Sequence, residues 1–243
     1  MGTTQPIRKE DELYSFRMYY ADEKPNVRNY TLIVLGLNTA LRIGDLLSLK
    51  WSSVYNFQFQ SFYDHILIHE QKTGKRNNVL LNATAKDALQ AYFNERSPEE
   101  SEYIFTKTTC HEKPLNRSQA YRIVKTAAVH TTQEDCISCH SLRKTFGYHA
   151  WKQGTPPALL MDIYNHSSYR ITQHYLGISQ DERDEIYMKL DLCPLLLQFL
   201  LPEQCIHDHI VLCKAFRLFD LLEILLRIRE TLTHIAPEFF HFK

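Results

Sequence analysis

The chain has 243 residues, 44% of them hydrophobic, with seven glycines, nine prolines and 12% aromatics. This is the make-up of one folded domain, or a domain plus an appendage, and it excludes a disordered or low-complexity polymer. The net charge is zero, which excludes a uniformly basic coat, yet residues 107–152 hold eight Lys or Arg against three acids, Glu112, Glu134 and Asp135. A local basic face of that kind holds phosphates while the whole chain stays neutral.

In chain order, Met1–Glu12 is polar with no apolar core of a signal peptide, and no apolar run approaches the roughly 18 residues of a membrane span. The expectation is a cytoplasmic protein with no membrane partner, whose six cysteines are reduced thiols. Asn29–Lys50 has a helical apolar stripe through Leu32, Leu35, Ile43, Leu46, Leu47 and Leu49, closed by Trp51. His65–His69 reads as a strand and Asn78–Leu81 as its partner. Between them lies a turn, Lys72-Thr73-Gly74-Lys75-Arg76, so a β-hairpin with a basic tip is predicted. Thr84–Asn94 is an amphipathic helix with Thr84 as its N-cap. Arg117–Val129 and Ser141–Lys152 are further helices, Pro156-Pro157 opens another, and Gln180–Leu190 is a charged surface helix. The predicted fold is mainly α with a small antiparallel β-sheet, an α+β core.

Beyond Asp191 the composition shifts. Residues 191–243 carry thirteen leucines and three cysteines and no glycine. The division expected is a functional domain over 1–191 and a leucine-rich appendage over 192–243 that adds nothing to catalysis.

Four short segments carry the chemistry. They are Thr39-Ala40-Leu41-Arg42-Ile43-Gly44-Asp45-Leu46-Leu47, then Lys72-Thr73-Gly74-Lys75, then His140-Ser141-Leu142-Arg143, and Asn165-His166-Ser167-Ser168 followed by Tyr175 nine residues after His166. Each alone is a common pattern. Their order and spacing together are not.

Over about Ile7 to Ile186 the sequence resembles the tyrosine recombinase, or phage integrase, family. The resemblance implies the fold of that family's catalytic core and an enzyme that cuts and rejoins double-stranded DNA through a 3′-phosphotyrosine link. Residue by residue it implies Arg42 as the first catalytic arginine, with Asp45 supporting it. It further implies Lys72 as the hairpin lysine ahead of Lys75, His140 and Arg143 as the His-x-x-Arg pair, His166 as the second histidine, and Tyr175 as nucleophile. One departure is Asn165, where the family usually has glycine; Asn tolerates left-handed backbone, so the turn is expected to survive. The resemblance also implies a homo-tetramer on DNA and a reaction without metal, nucleotide or other cofactor.

The chemistry agrees with those residue types. A phosphodiester is anionic, so charge building on its non-bridging oxygens must be neutralised. Arginine's planar fork binds such oxygens in pairs and keeps its charge. A phenol with a pKa near 10 is a weak nucleophile until a base takes its proton, the role assigned to His140, while Lys72 protonates the departing 5′ oxygen. A second reading is a truncated relative that binds DNA or a recombinase partner without recombining, because family members usually carry a helical DNA-binding domain ahead of this core.

Rival signals are weaker. Cys136-Ile137-Ser138-Cys139-His140 spells a haem-attachment pattern, but such attachment needs export and no export signal is visible. A zinc site from Cys110, Cys136, Cys139 and a histidine is a further alternative. Two reduced cysteines beside a helix start is the reading adopted, with no metal site.

Overall fold

The computed structural model describes residues 4–107, 110–176 and 187–190. The chain falls into two compact units, residues 1–179 and 180–243. Of the second, residues 187–189 are helical and 187–190 exposed. The leucine-rich segment and most of the predicted helix Gln180–Leu190 lie outside the described residues.

The first unit is mostly helical. Helix α1 (Glu10–Asp22) opens on three acids, Glu10, Asp11 and Glu12, which suit the positive end of a helix dipole. Helix α2 (Val27–Asn38) is capped by Asn26, whose side-chain oxygen accepts from the Asn29 N–H at 2.9 Å. It is buried along Leu32–Gly36 and packs against α1, α4 and α6.

The stripe predicted as one helix over Asn29–Lys50 is two. The chain breaks at Thr39–Arg42 and restarts as α3 (Ile43–Leu47). The cause is Ala40, which sits in the left-handed region at φ 53°. A non-glycine residue there costs about 1 kcal/mol, offset because Ala40 is buried and its carbonyl is held by Arg143.

The small antiparallel sheet content expected is present, among the described residues as three two-stranded ladders: β1 (Tyr55–Asn56) with β2 (Ser61–Phe62), β3 (His65–His69) with β4 (Arg76–Leu80), and β5 (Thr106–Lys107) with β6 (Cys110–Pro114). In the second ladder His69 pairs with Arg76 and His65 with Leu80, so the basic tip protrudes as expected. Alternation along β3 buries Ile66 and Ile68 and exposes His65, Leu67 and His69. Helix α4 (Ala83–Arg96) starts two residues earlier than predicted. Asn82, not Thr84, is the N-cap, accepting from the Ala85 N–H at 2.9 Å.

Helices α5 (Arg117–Thr131), α6 (Cys139–Lys152), α7 (Pro157–Tyr164) and α8 (Tyr169–Leu176) follow. Proline at the first turn of α7 loses no hydrogen bond there. The main core joins α1 to α6 through residues such as Phe16, Leu32, Leu46, Trp51, Leu89 and Val124. A second, smaller cluster of Ala40, Leu160, Tyr164 and Leu176 lies under α8, with Phe146, Ala150, Trp151 and Tyr175 packed on it. Among the described residues no helix is long and apolar enough to cross a membrane.

Candidate active site

The break after α2 puts Arg42 at the N-cap position of α3, with extended backbone. Its Nη1 lies 2.5 Å from Glu70 Oε2 at the end of β3. The contact is a charge pair rather than an aligned hydrogen bond, so this buried nitrogen has no in-line acceptor among the described residues. One turn on, the buried Asp45 accepts from the Gln71 N–H at 2.9 Å, which pins the start of the hairpin turn to α3. Lys72 follows directly and is exposed.

Helix α6 presents His140 and, one turn later, Arg143. Arg143 is buried at 2% exposure. Its Nη1 donates to the Ala40 carbonyl and its Nη2 to the Tyr164 carbonyl at 2.8 Å. The two acceptors end α2 and α7, so one guanidinium joins three segments distant in sequence. His140 reaches solvent, and its pKa falls below the ordinary value. Desolvation contributes most to that shift, followed by the charges of Lys144, Arg143, Lys72 and Arg117.

Helix α7 ends at Asn165, left-handed at φ 53°, so the residue that replaces glycine does keep the turn. His166 follows, its Nδ1 3.0 Å from Thr172 Oγ1 on α8. Burial, then Arg143 and Arg42, push His166 down to about 4, although Glu70 opposes them. Its ring stacks on Tyr164 at 5.1 Å and meets Tyr175 edge-on at 5.2 Å. Tyr175 sits half-buried on α8 with the Arg143 guanidinium carbon 5.9 Å and Lys144 Nζ 5.5 Å from its ring centre. Burial raises the Tyr175 phenol, and Arg143 and Arg42 pull it back.

Arg42, Arg143, His166 and Tyr175 are therefore gathered around one spot, with Asp45 on α3, Lys72 on the adjoining hairpin and His140 on the helix that carries Arg143. The ring and cation contacts of Tyr175 involve Tyr164, His166, Arg143 and Lys144, not His140.

Sequence reasoning missed three neighbours. Glu70 is 1% exposed, with its carboxyl held at about 2; burial opposes that shift, and bonds from Thr73, Asn165 and Arg42 outweigh it. Its signal was present, since period two from Ile66 and Ile68 puts position 70 on the buried face. Lys144, buried beside Arg143, donates to the Thr4 carbonyl at 2.6 Å. Tyr164 is fully buried, its hydroxyl donating to the Arg143 carbonyl at 2.7 Å. It fits only because Gly147 has no side chain: a Cβ there would come within 2.0 Å of Tyr164 Oη.

Cys136 and Cys139 are free thiols. Cys139 is buried, which raises it to about 11 and leaves it unreactive at neutral pH. No group of three or more His, Cys, Asp or Glu among the described residues is arranged to hold a metal.

Comparison with known proteins gives the family and the fold. A model of the phage integrase family matches residues 9–182. The chain is 37% identical to the probable integrase/recombinase YoeC of Bacillus subtilis, over 77% of this chain and 97% of that protein. It is 24% identical to the tyrosine recombinase XerD of Staphylococcus saprophyticus, over 68% of this chain but 57% of that longer protein. Among solved structures, XerA recombinase superposes with a TM-score of 0.62 at 21% identity, covering 77% of this chain and 66% of that one. The Tn1549 transposon integrase in complex with a circular intermediate DNA gives 0.58 at 20% identity, covering 78% and 67%.

Proposed function

Because the chain belongs to the phage integrase family, and is a tyrosine-type recombinase by that membership, we propose that it cuts and rejoins double-stranded DNA at a specific site with Tyr175 as nucleophile. The observation that carries this reading is the convergence of Arg42, Arg143, His166 and Tyr175, from four separate segments, around one phenol.

In the reaction the Tyr175 Oη attacks the scissile phosphorus and the bond to the 5′ oxygen breaks. The DNA 3′ end is left joined to Tyr175, and a 5′ hydroxyl is released. Arg42 and Arg143 neutralise the charge that grows on the two non-bridging oxygens. In the tautomer whose Nδ1 accepts from the Thr172 hydroxyl 3.0 Å away, His166 carries its proton on Nε2 and offers it to the phosphate. Its low pKa keeps it a neutral donor at physiological pH. His140, also held toward the neutral form, takes the Tyr175 proton, and Lys72 on the exposed hairpin gives one to the leaving 5′ oxygen. In rejoining, a 5′ hydroxyl attacks the phosphotyrosine and Tyr175 recovers its proton. The link stores the energy of the broken bond, so the cycle consumes no nucleotide. Asp45 acts through the hairpin by its bond to Gln71. We further assign a homo-tetramer assembled on DNA in the cytoplasm, and a domain boundary near residue 191, with the following leucine-rich segment outside the chemistry.

A pool of nicked duplexes of randomised sequence tests the reading. Cleavage beside the nick releases a short fragment and traps the covalent adduct, and sequencing the trapped strands reports the site. The full chain should accumulate adduct. Tyr175→Phe, which keeps the ring packing, should fold with an unchanged melting profile and lose capture by at least ~1,000-fold. A full chain that binds the pool without forming adduct would favour the non-recombining relative. A Phe variant that still forms adduct would move the nucleophile elsewhere.

A further inference from the structure

We propose that Glu70 is a positioning residue of this cleavage site, and that Asn165 stands where glycine would serve because its amide ties Glu70 to the turn that carries His166. The proposal rests on reading the site as one that cleaves DNA.

Strand alternation turns Glu70 inward behind Ile66 and Ile68. Burying a carboxylate costs several kcal/mol unless it is paired and its lone pairs are filled. Here both oxygens are filled twice over. Oε2 takes the Arg42 guanidinium at 2.5 Å and the Thr73 hydroxyl at 2.6 Å. Oε1 takes the Asn77 amide at 3.3 Å and the Asn165 amide at 3.1 Å. Three hydrogen bonds and one charge contact thus surround the ionised carboxylate. The donors come from the start of α3, from both sides of the hairpin turn, and from the end of α7.

Three of these four partners are, or adjoin, a group that the reaction needs. Arg42 is itself such a group, Thr73 is next to Lys72, and Asn165 is next to His166. Glycine would satisfy the left-handed backbone at 165 more cheaply than asparagine does. What the asparagine adds is one amide, and that amide goes to Glu70. The carboxylate fixes the reach of Arg42 and couples the hairpin to the His166 turn without touching the DNA phosphate.

The test uses the full chain and the nicked duplex recovered from the randomised pool. Asn165→Gly keeps the turn and removes only the amide. Its melting profile should match the parent, and capture should slow by roughly 3- to 10-fold. Glu70→Gln keeps the shape and removes the charge that faces Arg42, so capture should slow by roughly 10- to 100-fold. On a methylphosphonate duplex, which lacks the charged oxygen Arg42 neutralises, the Gln defect should shrink to within about 3-fold. The double variant should be no slower than Glu70→Gln, because both changes break one network. The proposal falls if Asn165→Gly captures at the parental rate, if the two defects multiply, or if the Gln defect is the same on both backbones. Should Glu70→Gln fail to fold, Asn165→Gly still decides. If the unaltered chain forms no adduct, the reading of the site falls and takes this one with it. If the unaltered chain captures DNA and Asn165→Gly equals it, only the coupling is lost.

Discussion

Arg42 and Asp45 are built on the edge of a core that joins thirty buried hydrophobic residues from Ile7 to Leu142 among those described, whereas Tyr175 rests on four: Ala40, Leu160, Tyr164 and Leu176. The elements differ in the same sense. Helices α2, α4 and α5 run 12, 14 and 15 residues, while α7 and α8 run eight each. Helices that short have little stability of their own and depend on what they pack against. Local opening free energies follow the amount of buried contact, so Tyr175, the proposed nucleophile, stands on the softer region and Arg42 on the stiffer one. Arg143 bridges the two through its bonds to the Ala40 and Tyr164 carbonyls.

The sharpest way to separate the regions is chemical. Arg42→Lys keeps the charge on the stiff side but loses the paired donors, so covalent capture should fall by ~100- to 1,000-fold. DNA affinity, read by gel shift, should change far less. Equal losses in both would make Arg42 a general binding residue.

Lys72 belongs to neither core. Lys72→Ala should slow capture by about 100-fold on an ordinary phosphate and regain most of it on a duplex whose leaving group is a 5′ sulfur, which needs no proton. Failure of that rescue would pass the acid role to Lys75.

Truncating one leucine in each region probes the comparison directly. Leu46 and Leu160 are both fully buried, and Leu→Ala at such sites costs about 2–5 kcal/mol. Leu46→Ala should lower the main melting transition. Leu160→Ala should move it less, speed hydrogen exchange over residues 157–176 and slow capture. If both variants lower the melting temperature alike and leave exchange over 157–176 as in the parent, the two regions are one cooperative unit.

The smallest effect is in acid. Folded His166 resists protonation down to about 4, while an unfolded imidazole takes its proton near 6.5, so stability should fall as pH drops from 6.5 toward 4. Glu70, held at about 2 against 4.5, should lose its contribution only between pH 4.5 and 2. Melting curves of His166→Gln against the parent should show a smaller first limb, with the share of His140 remaining, and keep the second.

The sequence offered the candidate residues more readily than their supports. Arg42, Arg143, His166 and Tyr175 were singled out through the family resemblance, and folding brings those four together. The hairpin was legible because Gly74 marks its turn and Ile66, Leu67 and Ile68 its strand. The break between α2 and α3 was not, since it falls on an alanine in left-handed backbone, a conformation that glycine or asparagine normally announces. Helix α1 went unnoticed because it buries only Phe16, Tyr19 and Tyr20 among many charges. Lys144 and Tyr164 carried no signal, because their contacts are made across segments that only folding brings together.

Gly147 has one more consequence. It has no functional group, yet the absence of its side chain is what lets Tyr164 lie beneath His166 and beside Tyr175. A screen of random substitutions for loss of recombination should therefore score position 147 alongside the charged residues of the site. The map of intolerant positions it returned would mark a gap in the packing as heritable information.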